Sequence, residues 1–71
     1  MFKSTYDYAE SLRKQYGTAL LSKHQAAKEL SISRATLDRM RLDGQIKSQR
    51  IGQQVRFNAT EVARIVMGGA L

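Results

Sequence analysis

Apolar and polar positions along this 71-residue chain follow two different periods. From about Thr5 to Tyr16 the spacing is helical. Tyr8, Leu12 and Tyr16 fall on one stripe, and Phe2, Tyr6, Ala9 and Arg13 fall on its neighbour. Ser4 or Thr5 can cap this helix and Gly17 stops it. Ser22 opens a second helix, and Gln25 three residues on completes a capping box. Ala26, Ala27 and Leu30 supply its apolar side. Ser31-Ile32 makes a turn with Ile32 buried in it. Ser33 then caps a third helix whose inward residues are Leu37 and Met40, and Asp43-Gly44 ends it. Beyond this point the period changes to two.

Gln45-Ile46 can pair briefly as strand. Arg50-Ile51 and Val55-Arg56-Phe57 alternate as a half-buried hairpin does, around the connection Gly52-Gln53-Gln54. This alternation predicts Ile51, Val55 and Phe57 facing in, with Arg50 and Arg56 facing out together. Asn58 and Glu61 form another capping pair, opening a last helix with Val62, Ile65 and Val66 inward and Gly68-Gly69 as its stop. The chain is therefore expected to be mainly α with a small β-hairpin, a winged helix-turn-helix preceded by an extra N-terminal helix. Residues 1–17 make that helix and residues 18–71 the winged unit. Two roles are open for residues 1–17: packing on the core, or contact with a second copy or another partner.

Charge narrows the choice of partner. Twelve Lys and Arg against six Asp and Glu leave a net charge of +6, which points to a polyanion. Residues 1–17 hold three bases and two acids, and the remainder holds nine bases and four acids. The excess thus belongs to the winged unit and describes a face, not a tail. The chain has no cysteine and one histidine, His24, so neither a disulfide nor a thiolate or multi-histidine metal site can be built. No apolar run approaches the roughly 18 residues of a spanning helix, and MFKSTYDYAE lacks the apolar stretch of a signal peptide. A cytoplasmic protein with no membrane partner is expected. The six acids are scattered and His24 has no nucleophile or paired carboxylate in a recognisable arrangement around it. Neither catalysis nor a cofactor is expected.

The candidate chemistry is the reading of double-stranded DNA. With Leu37 and Met40 inward, Arg34, Ala35, Asp38, Arg39 and Leu42 point outward from the third helix, with Thr36 on its flank. A guanidinium donates two parallel hydrogen bonds, which suits Arg34 and Arg39 to guanine or phosphate. Ala35 lets the helix sit deep and can touch a thymine methyl. Asp38 can orient Arg34 or Arg41, or accept from a cytosine amine. The helix N-termini at Ser22 and Ser33 offer backbone N–H groups to phosphate, and Lys23 adds a cation beside the first. Arg50, Gln53, Gln54 and Arg56 would lay the hairpin along the backbone or in the minor groove.

The segment Leu21 to Val66 resembles the winged helix-turn-helix of the excisionase family, which is related to the DNA-binding domain of MerR-type regulators. The matching stretches are Leu20-Leu21, Ala26-Ala27-Lys28-Glu29-Leu30, Ile32-Ser33-Arg34-Ala35-Thr36-Leu37, Asp43-Gly44-Gln45-Ile46, Arg50-Ile51-Gly52, Val55-Arg56-Phe57 and the helix from Asn58. The resemblance implies that Ser33 to Arg39 enters the major groove and that Gly52 to Arg56 is the wing. It also implies a recombination directionality factor of a phage, plasmid or integrative element. Such a factor binds attachment-site DNA cooperatively and bends it, so that an integrase excises. A small transcription regulator needs the same surface. A protein-interaction or anti-repressor module would work instead through the N-terminal aromatic helix. The chain departs from the family pattern at Asn58, where proline is common, at Arg41, where an apolar residue is usual and Leu42 follows, and in its N-terminal helix. Leu42 is expected to meet that helix or a neighbouring protomer. Self-association is open through residues 2–16, Leu42 or Val66–Leu71.

Overall fold

Ser4 lies extended, and its hydroxyl accepts the Asp7 N–H, so the first helix, α1, runs Thr5–Tyr16. The computed structural model describes residues 3–68. Six further elements follow: β1 (Leu20–Ser22), α2 (Lys23–Leu30), α3 (Arg34–Leu42), β2 (Gln49–Ile51), β3 (Gln54–Asn58) and α4 (Ala59–Val66). The architecture is four helices with a three-stranded antiparallel sheet of order β1-β3-β2, a winged helix-turn-helix. The hairpin of the sequence reading thus gains a strand. Leu20–Ser22 pairs with β3, Leu21 opposite Phe57 and Ser22 opposite Arg56. Three residues are too few to display a period of two, and Ser22 also serves as the cap of α2.

The caps at Ser22 and Ser33 form as their spacing predicts, and Asn58 caps α4 without the expected partnership of Glu61. Ser22 Oγ accepts the Gln25 N–H at 3.1 Å while Gln25 Oε1 accepts the Ser22 N–H at 2.9 Å. Ser33 Oγ accepts the Thr36 N–H at 3.0 Å, and Asn58 Oδ1 the Thr60 N–H at 2.8 Å. Between α2 and α3, Ser31 adopts the left-handed conformation (φ 58°, ψ 40°), which a side chain disfavours. Ile32 is half-buried in that turn.

Glu61 does something other than cap. Its Oε2 accepts the Lys47 N–H at 2.8 Å and its carboxylate holds Arg64 at 2.8 Å, while Arg64 Nη2 donates to the Gln45 carbonyl at 3.4 Å. Gln45-Ile46 is consequently a bend and not a strand: α4 side chains satisfy backbone groups that a ladder would otherwise take. The anchoring leaves Ile46 only 1% exposed.

The core is one cluster. Ala9 and Leu12 of α1 join Leu21, Ala26, Ala27, Leu37, Ile46, Phe57 and the α4 residues Ala59, Val62 and Ala63. The inner face of α4 is therefore smaller than expected, with Ile65 half-buried and Val66 38% exposed beyond the core's edge. Helix α1 lies chiefly against α4, where alanines allow close approach. Tyr8 and Tyr16 are half-buried, and their hydroxyls donate to Glu29 of α2 at 3.0 and 2.6 Å. Tyr6, on the neighbouring stripe, is 68% exposed, and Phe2 lies outside the described residues. No helix among the described residues is long and apolar enough to cross a membrane.

Candidate nucleic-acid interface

Leu37, fully buried, sets the rotation of α3. With that residue inward, the helical period leaves Arg34, Ala35 and Arg39 exposed, and Thr36 and Asp38 on the flanks. Neither Arg34 nor Arg39 has an ion-pair or hydrogen-bond partner among the described residues, so both guanidinium groups are open to an acceptor. Thr36 Oγ1 accepts from the Ser33 hydroxyl at 3.0 Å, so that cap keeps its two side chains together.

The first turns of α2 and α3 and strand β3 enclose a surface concavity of about 400 Å³. It brings together Ser22, Lys23, Arg34, Gln54 and Arg56, five of the twelve residues singled out from sequence, with His24 and Val55 beside them. His24 is exposed. Its only signal in the sequence is its place next to Lys23 in a helical first turn. Ser33, Ala35, Thr36, Asp38, Arg39, Arg50 and Gln53 lie outside this concavity, on the adjoining surface of α3 and at the hairpin.

Arg50 and Arg56 do not face out together. Arg50 pairs opposite Val55, Gln49 opposite Arg56 and Ile51 opposite Gln54, and directly opposed residues share a face. Arg50 therefore stands on the side of Val55 and Phe57. Arg56 stands on the other side with Gln54, Ile51 and, from β1, Ser22. The cause is turn length. The connection is the two-residue Gly52-Gln53 in place of Gly52-Gln53-Gln54, and only Gly52 has positive φ, 62°, the pattern of a type II′ hairpin turn. A connection shorter by one residue shifts the pairing and carries one strand's side chains to the opposite face. Ile51, expected inside, is accordingly 53% exposed. Arg56 Nη2 donates to Gln54 Oε1, while Arg50 has no such partner among the described residues.

Asp38 engages Lys23 and Arg41, and not Arg34. Lys23 Nζ lies 3.0 Å from Oδ1 and 3.2 Å from Oδ2, and Arg41 Nη2 lies 3.4 Å from Oδ1. The hydrogen bond from Lys23, with Arg41 in support, holds this carboxyl below the ordinary aspartate range. The Arg41 side chain is 25% exposed, and its Nε is buried without a hydrogen-bond partner among the described residues. Leu42 is 75% exposed, so the N-terminal helix does not cover it. Among the described residues, no three His, Asp or Glu side chains are grouped to hold a metal ion.

A family model described as a helix-turn-helix domain matches residues 20–68, from β1 to just past α4. That family includes excisionase-like DNA-binding domains. No curated protein sequence matches the chain.

Proposed function

The chain belongs to the helix-turn-helix domain family, and from that premise we propose a sequence-specific, non-enzymatic DNA-binding protein of the excisionase type, a recombination directionality factor. The observation that carries the DNA reading is a pair of guanidinium groups without a partner among the described residues, Arg34 lining the basic concavity and Arg39 on the exposed side of α3. In this reading α3 enters the major groove. Arg34 and Arg39 take guanine edges or phosphates, Ala35 permits close approach, and Thr36 borders the base edges. The N-terminal turns at Ser22 and Ser33 receive phosphate oxygens, Gln53, Gln54 and Arg56 lay the wing on the backbone, and Arg50 reaches phosphate from the hairpin's other face.

Such a domain carries one recognition helix, too little to select one site among many competitors. Several protomers on adjacent, similarly oriented repeats supply the rest. Bending a 20–30 bp site costs on the order of 1–6 kcal/mol, which contacts along the row offset. Among the described residues, Tyr6, Leu42, Val66 and Met67 are the large apolar side chains left exposed outside the wing, and they are the surfaces proposed for protomer contact and for meeting an integrase.

Footprinting and gel mobility on attachment-site DNA beside an integrase gene test this function. A run of protected repeats and a bend are expected, with affinity falling by a log–log salt slope of about −0.9 for each phosphate neutralised. One isolated, unbent site leaves an operator-binding regulator. No duplex binding, even at low salt, removes the DNA reading altogether.

A further inference from the structure

Asp38 is out of place on a surface meant for a polyanion. Helix α3 carries three arginines, yet its flank presents this carboxylate between α2 and the outer face. The cation it holds most closely is Lys23, which belongs to the basic concavity with Ser22, Arg34 and Arg56. The Lys23 and Asp38 side chains keep 34% and 37% of their surface open, so water and salt screen the bridge. A bridge of that kind is weak and exchanges readily. Lys23 can move to a phosphate, but Asp38 must then face the duplex without it.

We propose that Asp38 is a specificity-determining residue that reserves Lys23. On arbitrary duplex the carboxylate keeps Lys23, and one phosphate contact is forgone. Where the major groove presents a cytosine amine, Asp38 accepts from that base edge and Lys23 passes to the backbone. The number of phosphates neutralised then depends on sequence, which widens the gap between preferred and arbitrary sites. This inference rests on the DNA-binding reading above.

The test compares the unmodified protein with Asp38→Asn, Asp38→Glu and Asp43→Asn on a mixed-sequence duplex across a salt series. Asp43 is an exposed acid at the end of α3 that holds no base among the described residues, so its substitution adds the same net charge without freeing a cation. Asp38→Asn should gain one phosphate contact, steepening the log–log slope by about 0.9 and tightening binding about eightfold at 0.1 M salt. Asp38→Glu should keep the parent slope, and Asp43→Asn should shift it much less. Sites selected from a random duplex pool should contain a cytosine that the parent requires and that Asp38→Ala, which has no side-chain acceptor, does not. Because all three side chains of the bridge are partly exposed, each variant should melt within a few degrees of the parent. Equal slopes for the parent and Asp38→Asn, equal tightening by Asp43→Asn, or identical selected sites for the parent and Asp38→Ala overturn the inference while leaving DNA binding intact. A parent that binds no duplex overturns both.

Discussion

Arginine serves two regions of this molecule differently. On the α1–α4 side, Arg13 is held by Glu10 at 2.6 Å and Arg64 by Glu61 at 2.8 Å, each three residues along its own helix. On the α3 and wing side, Arg34, Arg39 and Arg50 are exposed and have no partner among the described residues. The first pair has its charge answered within the fold, and Arg64 also helps hold the bend before the wing. The second set leaves its charge for something outside. The same side chain therefore reads as scaffold or as interface according to whether a carboxylate actually engages it: Arg34 and Arg39 have Asp38 and Asp43 four residues on and pair with neither, which sequence spacing alone does not reveal.

The sharpest way to break this contrast is to attack the scaffold. Leu12 is 1% exposed, so Leu12→Ala should destabilise the whole protein by about 2–5 kcal/mol in a denaturant melt. A loss of only a few tenths would mean that α1 is an appendage and that the α1–α4 side is not one unit. Because Ala9 and Leu12 lie in the core, point changes at Tyr6 or Leu42 probe protomer contact better than removal of α1.

Glu61 gives the next largest effect. Glu61→Gln should lose about 1–3 kcal/mol of stability, because the Lys47 N–H and Arg64 both lose a charged acceptor. The hydrogen bond from Arg64, then that from Lys47, holds the Glu61 carboxyl below its ordinary range. The folded form thus keeps its charge to lower pH than the unfolded chain. The stabilisation is full above the ordinary carboxylate range and is lost as pH falls through it toward the depressed value. Glu61→Gln should flatten that part of the acid limb, and an unchanged limb would detach Arg64 from the scaffold role.

Arg39→Ala should behave in the opposite way. Its melting temperature should stay near the parent value, while affinity for a preferred duplex falls by about 1–3 kcal/mol and preference relaxes at one base position. If Arg64→Ala weakened DNA binding as much, with the fold intact, the division between the two regions would fail. The smallest change is Ser31→Gly in the turn between α2 and α3. Relief of the left-handed serine should raise stability by about 1 kcal/mol in the same denaturant melt and leave duplex affinity untouched. A fall in affinity would show that the Ser31 hydroxyl, and not only its backbone, belongs to the interface.

Much of the fold was legible because it rests on interactions three or four residues apart. The hydroxyls of Ser22 and Ser33, the amides of Gln25 and Asn58, and the left-handed Gly17 define helix ends within a single turn of chain. Leu37 at its helical spacing likewise sets which side of α3 is exposed. These features determine the helix-turn-helix, its basic outer surface and the location of the candidate site. Other choices arose only when distant elements docked. The one-residue difference in the Gly52 turn separated Arg50 from Arg56, since strand register fixes the face of every side chain at once. Lys23 met Asp38 across 15 residues, Tyr8 met Glu29 across 21, and Lys47 met Glu61 across 14. No local periodicity encodes such pairings. They depend on the distance and angle at which packed helices and strands bring two side chains together, and that geometry belongs to the tertiary structure alone.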